Sequence, residues 1–376
     1  MKALKDVFSE KPVNTGRQLE LDLGKALPIL FLPFIHCTIE CCTEEQMLTG
    51  LPYTFDMIIG GPMAAPMFMF CMGATIHFSK ENKAKRLLKR GLQMLLFGFL
   101  LNICRFLIPY LIGYAITGDV EQYLTPLPYH FFGDDVLQFA GLAMLALSLM
   151  IYLKLPKRAM FAIALALSVT GSFIRGVDFH NDVLNIAMGW FIGTENEAGL
   201  VISDFPFLNW LLVPVCGYIF GWYLQRVKDK KRFYLSFSPV LLAASIVYCV
   251  IGETYDIGMF APGENAYYHM LTYDVAASLA MTLGSLGLYS AVAHVLSPKV
   301  MSFFTYISRN ITAFYCIHWV FVSMFIRVFV YAAVGTQLIP YPWVLLISFV
   351  IVFLTLLMIH VYGKMKRTYK ERRSGI

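Results

Sequence analysis

The sequence predicts an all-α protein, specifically a polytopic transmembrane helical bundle. Hydrophobic residues make up 58% of the chain and charged residues only 14%, whereas an ordinary soluble domain carries about 25% charged residues. Apolar segments long enough to cross a hydrocarbon core of roughly 30 Å recur along the whole length. Basic clusters alternate with acidic loops between these segments, which is the pattern that orients membrane helices.

The apolar segments predict about ten spans. In chain order they cover residues 22–42, 55–78, 91–113, 134–152, 158–175, 207–225, 235–252, 270–296, 310–333 and 342–362. Because no internal repeat or low-complexity linker divides the chain, residues 1–376 are interpreted as a single transmembrane domain. The longest segment between spans is 175–205, and its apolar middle, 183–192, is predicted to lie in the interface or to dip back as a lid.

Charge predicts the orientation of these spans. Lys and Arg cluster near residues 2–17, 80–90, 154–158, 226–232, 299–309 and 364–373. If ten helices cross the membrane in turn, all of these clusters lie on the same side, which the positive-inside rule predicts to be cytoplasmic. Both termini are therefore expected inside, as a cytoplasmic segment (1–21) and a basic tail (363–376). The net charge of +6 suits anionic lipid headgroups and requires no nucleic acid. The eight cysteines show no zinc-finger spacing, so no metal site is expected.

The first span carries an unusual pair of ionisable residues in "LDLGKALPILFLPFIHC". Lys25 and His36 lie on nearly the same face of a helix, ~16 Å apart along its axis, and Glu40 follows one turn beyond His36. An ionisable group at mid-bilayer costs at least ~2.5 kcal/mol. Glu40 could orient His36 as a base with a pKa useful near neutrality, or His36 could be bonded to a neighbouring helix.

The third span carries Asn102 and Arg105 on one face, in "LLNICRFLIPY". Arg105 is a candidate for holding an anionic group of a ligand. The alternative is an internal salt bridge with Asp56 or Glu40, and the sequence does not separate the two.

The ninth span begins with Arg309 and carries His318, in "SRNITAFYCIHWVF". His318 is a candidate ligand contact, although a core histidine satisfied by its neighbours is the simpler reading. Arg309 is either a topology anchor or a ligand of a phosphate.

The stretch "LDLGKALPILFLPFIH" resembles the first-helix signature of integral-membrane acyltransferases, which consists of Arg-Gly, a hydrophobic run and His. Ten residues separate the arginine from the histidine in that signature, and Lys25 and His36 reproduce the spacing. The sequence departs from the signature in having Lys25 for arginine and Ala26 for glycine. Because lysine does not replace arginine in a bidentate phosphate contact, the departure concerns donor binding rather than His36.

Further stretches follow in the order expected of the branch that contains heparan-alpha-glucosaminide N-acetyltransferase and its bacterial relatives. They are "APMFMFCMGATIHFS" with "LLKRGLQMLLFGFLLN" for the second helix, basic loop and third helix, "DVLQFAGLAMLALSL" for the fourth, "FPFLNWLLVPVCGYIFG" for a Pro-Trp and Gly-x-x-x-Gly helix, and "ISRNITAFYCIHWV" for a late Arg-Asn helix. Asn209 replaces the proline expected before Trp210. Each motif is loose, so the resemblance rests on their shared order.

The resemblance implies transfer of an acyl group, usually acetyl, from cytosolic acyl-coenzyme A to a hydroxyl or amine of an extracytoplasmic acceptor, frequently a sugar. We expect His36 to act as general base with Glu40 beside it, and Asn102 to stabilise the oxyanion. Contacts to the acceptor or to an anionic group are expected from Arg105, Asp56 and His318. The donor phosphates are expected among Lys25, Arg86, Lys89, Arg90 and Arg309.

Other readings remain open at this point. A transporter or lipid flippase also carries buried charges and broken helices, and a member that lost catalysis would serve as a scaffold. An acyl-imidazole on His36 is an alternative to direct transfer. The expected location is a bacterial inner membrane, and a homodimer is one assembly that we consider. The sequence does not identify the acceptor, the acyl chain length, or whether nitrogen or oxygen is acylated.

Overall fold

The computed structural model describes residues 7–61, 64–78, 83–262 and 265–374, and helices dominate them. Within these ranges no β-strand forms, and extended segments meet only as isolated bridges such as that between Phe8 and Val227. The predicted all-α helical bundle is therefore confirmed. The first six residues of the predicted amino-terminal segment and the last two of the basic tail lie outside the described residues.

The main helices are, in chain order, α1 (Leu19–Cys41), α2 (Ala65–Thr75), α3 (Lys83–Thr117), α4 (Val136–Tyr152), α5 (Lys157–Ile174), α6 (Asp182–Ile192), α7 (Phe207–Leu224), α8 (Lys230–Thr254), α9 (Thr272–Val295), α10 (Pro298–Arg309), α11 (Ile311–Val334) and α12 (Tyr341–Ser374). In the described chain, eight of them are long and apolar enough to cross a membrane. The shorter apolar helices α2 and α4 fall within the predicted spans 55–78 and 134–152. The total of ten spans and the cytoplasmic position of both termini remain predictions.

Helix α1 is the centre of the bundle. It packs against α2, α9, α10, α11 and α12, and most of its residues are buried although Pro28 and Pro33 lie inside it. The hydroxyl of Ser348 on α12 lies 3.4 Å from the carbonyl oxygen of Pro33. Because its neighbours surround it on several sides, the polar residues of α1 reach protein partners rather than lipid.

Helices α2 and α7 touch through their backbones. A Cβ atom at Gly73 would lie 2.0 Å from the carbonyl oxygen of Pro214, and one at Gly217 would lie 2.0 Å from that of Phe70. Gly221 meets the carbonyl of Ala74 in the same way, at 2.2 Å. Small residues four positions apart permit such close packing of membrane helices. The Gly-x-x-x-Gly motif, Gly217 and Gly221, is therefore explained by the lack of room for a side chain at either position.

Buried acids fix one end of α1. Asp22, 3% exposed, accepts hydrogen bonds from Arg17 at 2.9 Å and from Ser308 at 2.6 Å. Glu20, 2% exposed, accepts hydrogen bonds from Lys230 at 2.8 Å and from a tyrosine hydroxyl on α8. Buried charges are tolerated only when paired, so these contacts hold α1 to α8 and α10. We call this end of the bundle, with its basic loops, the basic end.

The loop 175–205 is ordered at the opposite end. Its apolar middle is helix α6, and Trp190 on α6 donates to the carbonyl oxygen of Phe132 at 2.9 Å. His269, 2% exposed, has one ring nitrogen 2.9 Å from the carbonyl oxygen of Ser203 and the other 3.3 Å from the carboxylate of Glu195. The hydrogen bond with His269 lowers the pKa of Glu195. These contacts hold the loop against its end of the bundle.

The orientation can be tested with two exposed positions. Lys228 lies in the basic loop after α7 and Glu197 lies in the loop after α6. We expect Lys228→Cys and Glu197→Cys, each made in a background without Cys104, to react with an impermeant maleimide from opposite sides of a sealed membrane. The reason is that basic loops stay cytoplasmic. Labelling of both cysteines from one side would refute the predicted topology.

Candidate active site

A cavity of about 270 Å³ opens at the basic end between α1, α2, α3, α4 and α11. Its walls are mostly apolar, and they are formed by Ile29, Phe68, Met69, Met72, Ile76, Leu87, Met94, Val136, Leu137, Ala140, Met144 and Ile311. Cations occur among the lining residues, namely Lys25, Lys83, Arg86, Arg90 and Arg309. An apolar pocket with a few polar anchors is the usual form of a small-molecule site.

The structure brings four of the five predicted phosphate ligands to this cavity. Arg86 and Arg90 are one helical turn apart on α3, so they share a face, and Lys83 extends the same row by one turn. Lys89 is exposed and is not among the lining residues, because its position in the helix turns it away from this row. Of the predicted ligands, Lys89 therefore does not line the cavity. Lys83, which was not predicted, does line it.

Lys25 lines the cavity from α1 and is held by an acid. Its ammonium nitrogen lies 3.8 Å from Asp22 Oδ1, and its side chain is 17% exposed. Asp22 also accepts hydrogen bonds from Arg17 and Ser308, so it neutralises Lys25 only weakly. The ammonium group of Lys25 therefore contributes positive charge to the cavity wall. The predicted role of Lys25 in guiding an anionic donor stays a prediction.

Tyr315 lines the cavity from α11 and leads to two histidines. His318 follows one turn later, is 0% exposed, and contacts the carbonyl oxygen of Phe314 with Nδ1 at 3.0 Å. Since a carbonyl only accepts, Nδ1 carries the proton, and the buried Nε2 has no hydrogen-bond partner among the described residues. The ring of His318 stacks on that of His36, with centroids 5.4 Å apart.

His36 lies half-buried between α1 and α11. Its ring centroid is 4.0 Å from that of Trp319, and in the described chain neither of its nitrogens forms a hydrogen bond. His36 is not among the residues that line the cavity; His318 joins it to Tyr315 at the cavity wall. An imidazole without fixed partners keeps its nitrogens available for proton transfer.

Arg105 and Asp135 form a buried ion pair next to these histidines. Arg105 Nη1 lies 2.5 Å from Asp135 Oδ2, with side chains 4% and 6% exposed. Tyr315 donates to the same oxygen at 2.6 Å, and Arg105 Cζ lies 4.9 Å from the ring centre of Trp319. Neither of the partners that the sequence offered for Arg105, Asp56 and Glu40, is the one observed.

Asn102 supports the ion pair. Its side-chain oxygen accepts a hydrogen bond from Arg105 Nε at 3.2 Å, and one amide N–H donates to the carbonyl oxygen of Phe131 at 2.9 Å. Its second N–H forms no hydrogen bond to a described residue, and the predicted oxyanion contact stays a prediction. Arg105 lies in a π-helical turn, Ile103–Leu107, and such turns concentrate at functional sites.

Glu40 has a different partner from the one predicted. Its carboxylate forms a bidentate ion pair with Arg327 of α11, with Nε to Oε2 at 2.9 Å, and no hydrogen bond joins it to His36 within the described ranges. Tyr110 of α3 contacts the same guanidinium. Glu40 therefore joins α1, α3 and α11 beyond the histidines, because this pairing satisfies two buried charges at once.

Asp56 lies apart from Arg105. It occupies a π-helical turn, Thr54–Gly60, that packs on the half of α1 farther from the basic end, where neighbouring Phe55 stacks on Phe34 with centroids 5.1 Å apart. No hydrogen bond or ion pair of Asp56 occurs among the residues the structure describes. Asp56 therefore has no bond to Arg105, Asp135 or the histidines in the described chain.

Sequence reasoning missed Asp135 and Asp204. Asp135 precedes α4 and caps it by accepting from the backbone N–H of Val136 at 2.5 Å, so from sequence it resembles an ordinary N-cap. Asp204 lies beside it because Ser203 and Asp134 form a parallel bridge. Burial, together with the charge of Asp135, raises the pKa of Asp204 to about 8. The only sequence signal was the pair of acids, Asp134 and Asp135, at the start of the predicted span 134–152.

In the described part of the chain, no group of three or more His, Cys, Asp or Glu residues is arranged to hold a metal ion. Comparison with family models matches residues 18–361 to the family described as an acyltransferase domain. No curated protein and no solved structure gives a significant match. This match does not show that the chain belongs to the narrower branch of heparan-alpha-glucosaminide N-acetyltransferase. Because the matched range covers nearly the whole bundle and every predicted site residue, the chain belongs to the acyltransferase-domain family and is a multi-pass membrane acyltransferase.

Proposed function

We propose that the protein transfers an acetyl or other short acyl group from cytosolic acyl-coenzyme A to a hydroxyl or amine of an extracytoplasmic acceptor, with a sugar or glycan as the favoured acceptor class. The observation that carries the proposal is the path of polar groups through the bundle. It begins at the cationic cavity and continues through Tyr315 and His318 to His36. A donor on one side and an acceptor on the other would meet along this path.

The donor end of the proposal rests on charge and shape. Acyl-coenzyme A carries several phosphates and a slender, largely neutral pantetheine arm. Cations at the cavity, of which Arg86, Arg90 and Arg309 are guanidinium groups, match the phosphates, because arginine binds them in a bidentate manner. The apolar walls suit the arm and the acyl group. Acetyl-coenzyme A is accordingly the co-substrate that we propose.

The chemistry assigns His36 the role of general base. The acceptor oxygen or nitrogen attacks the thioester carbonyl carbon as His36 removes its proton, and the tetrahedral intermediate then expels the coenzyme A thiolate, which takes the proton. The oxyanion needs a hydrogen-bond donor in a water-poor site. Asn102, with its second N–H, and Arg105 are the donors that we propose for it. An acyl-imidazole on His36 would divide the same transfer into two steps.

The acceptor end of the proposal rests on the acids opposite the donor cavity. Asp204 and Asp56 make no hydrogen bond to any described residue, so their carboxyl oxygens are available to the hydroxyls of a sugar or to an amine. Asp204, with its pKa raised to about 8 by burial, is largely protonated at neutral pH and can donate as well as accept. Asp204 therefore joins Arg105, Asp56 and His318 as a proposed acceptor contact.

The direct test is turnover without a sealed compartment. Protein purified in detergent is expected to release free coenzyme A thiol from acetyl-coenzyme A when hydroxyl or amine sugars are supplied, because a transferase needs no gradient. A transporter or flippase would require a closed membrane. Absence of turnover with every donor and acceptor, together with activity only in sealed vesicles, would refute the proposal.

The predicted donor site gives a second test. We expect Arg90→Ala with Arg309→Ala to raise the apparent KM for acetyl-coenzyme A by about tenfold or more, since each lost charge-assisted contact is worth roughly tenfold. The value of kcat should change little, as it does when only ground-state binding is lost. Initial-rate kinetics over a range of donor concentrations give both constants.

Lys89→Ala is the matched control, since it removes a cation from the same helix but outside the cavity. Its apparent KM should stay near that of the unchanged protein. Equal effects of the Lys89 and Arg90/Arg309 changes would indicate a general loss of surface charge and would contradict a donor site in this cavity.

A further inference from the structure

A second cluster of cations lies beside the cavity, where α5 begins and α7 ends. Lys157 Nζ lies 4.1 Å from the ring centre of Trp222, and Arg226 Cζ lies 3.8 Å from the same ring. Lys83, which also lines the cavity, is close enough to Lys157 and Arg226 for their charges to repel one another. The proposed function does not use Lys157, Arg226 or Trp222.

The described partners of these cations are neutral groups. Lys83 Nζ contacts His77 Nδ1 at 3.1 Å, and Arg226 Nη1 donates to the carbonyl oxygen of Trp222 at 2.9 Å. Among residues 7–61, 64–78, 83–262 and 265–374, no ion pair joins Lys83, Lys157 or Arg226 to a carboxylate. The cluster therefore gathers three positive charges without a compensating acid in those ranges.

Specific contacts hold the residues around these cations in place. His77 is 6% exposed, its carbonyl oxygen accepts a hydrogen bond from Gln225 at 2.7 Å, and its ring lies 4.3 Å from that of Tyr218. The indole face of Trp222 attracts both neighbouring cations, but it does not neutralise them. Like charges held together at a partly buried site repel more strongly than in open water, and an anion with several oxygens removes that repulsion.

We infer that Lys83, Lys157 and Arg226 form a phosphate-binding subsite beside the cavity, for a phosphate monoester or diester. The favoured ligand is the phosphate on the ribose of acyl-coenzyme A, and to that extent the inference rests on the proposed function. Lys83 belongs to both the cavity and the cluster, so a donor whose arm enters the cavity has its nucleotide end here. The phosphate of an anionic lipid headgroup offers the same chemistry at the membrane surface.

The donor source is tested with coenzyme A and 3′-dephospho-coenzyme A, whose dissociation constants are measured calorimetrically in detergent. We expect the unchanged protein to bind coenzyme A about tenfold more tightly, which is the worth of one charge-assisted contact. Lys157→Gln with Arg226→Gln should reduce this preference to near unity. Arg158→Gln, a change at the exposed neighbour of Lys157, should leave the preference for coenzyme A unchanged.

Melting temperatures identify folded variants, and Lys157→Gln alone is used if the double variant does not fold.

The lipid source is tested in the same variants by native mass spectrometry, after release from nanodiscs of phosphatidylglycerol or phosphatidylcholine. An unchanged coenzyme A preference with fewer retained phosphatidylglycerol molecules would assign the subsite to a lipid phosphate. If neither measurement differs from that of Arg158→Gln, the subsite does not exist. If the unchanged protein binds no coenzyme A at all, the proposed function fails. In that case the retention of phosphatidylglycerol alone determines whether the subsite binds a phosphate.

Discussion

Replacement of His36 by alanine is expected to lower the rate of acyl transfer by about 10²–10⁴-fold, the usual effect of removing a general base. The protein should remain folded and should still bind coenzyme A. The structural reason is that His36 is half-buried and forms no hydrogen bond to any described residue, so the change leaves no buried partner unsatisfied. Release of coenzyme A thiol, melting temperature and donor binding are the three measurements.

His360→Ala is the matched control, since His360 is an exposed histidine on α12. It should keep normal turnover. A folded His36→Ala protein with near-normal turnover on its acceptor would remove His36 from the mechanism and leave it as a packing residue against Trp319. Loss of folding and of donor binding together would give the same histidine a structural role instead.

Replacement of Asp135 by asparagine is expected to destabilise the protein by about 3–5 kcal/mol, the usual effect of breaking a buried ion pair from one side. Asparagine caps a helix as well as aspartate does, so the start of α4 is preserved and the charge alone is removed. Arg105 then stays buried without its counter-ion, and Tyr315 loses a charged acceptor. Reversible unfolding in mixed detergent micelles measures the change, and the acyl-transfer rate should fall with it.

Asp229→Asn provides the comparison. Asp229 also caps a helix, by accepting from the backbone N–H of Arg232 at 3.0 Å, but its side chain is 45% exposed. Exposed ion pairs contribute about 0–1 kcal/mol, so this variant should unfold nearly as the unchanged protein does. Similar losses for both variants would indicate that a negative charge at the start of a helix, and not the Arg105 pair, makes Asp135 important.

The helices are the part of the structure that local sequence predicts well. The predicted spans 158–175 and 270–296 correspond closely to α5 and α9, because hydropathy and length depend on the segment alone. The predicted span 55–78 is instead divided into the π-helical turn Thr54–Gly60 and α2. Gly60, Gly61 and Pro66 lie around the break, and glycine and proline are the weakest helix formers.

The candidate site was predicted only in part. Spacing correctly places Lys25 and His36 on one helix, and Arg86 and Arg90 were predicted together with Lys89 from the basic segment that they share. Periodicity alone cannot decide which face of α3 meets the cavity, so Lys89 was included with its neighbours. The cluster of Lys157 and Arg226 was visible only as two separate groups of topology-determining charges, since nothing in the sequence brings α5 and α7 together at Trp222.

The sequence by itself determined the class of fold, the family and the position of Lys25 and His36 on one helix, because these depend on composition, hydropathy and short-range spacing. The tertiary structure decided how the charges are paired. Arg105 binds Asp135 rather than Asp56 or Glu40, and Glu40 binds Arg327. Apolar helices in a bilayer are nearly interchangeable in hydrophobicity, so small residues and polar contacts set their neighbours and rotation. Which charges meet therefore depends on the packing of the whole bundle.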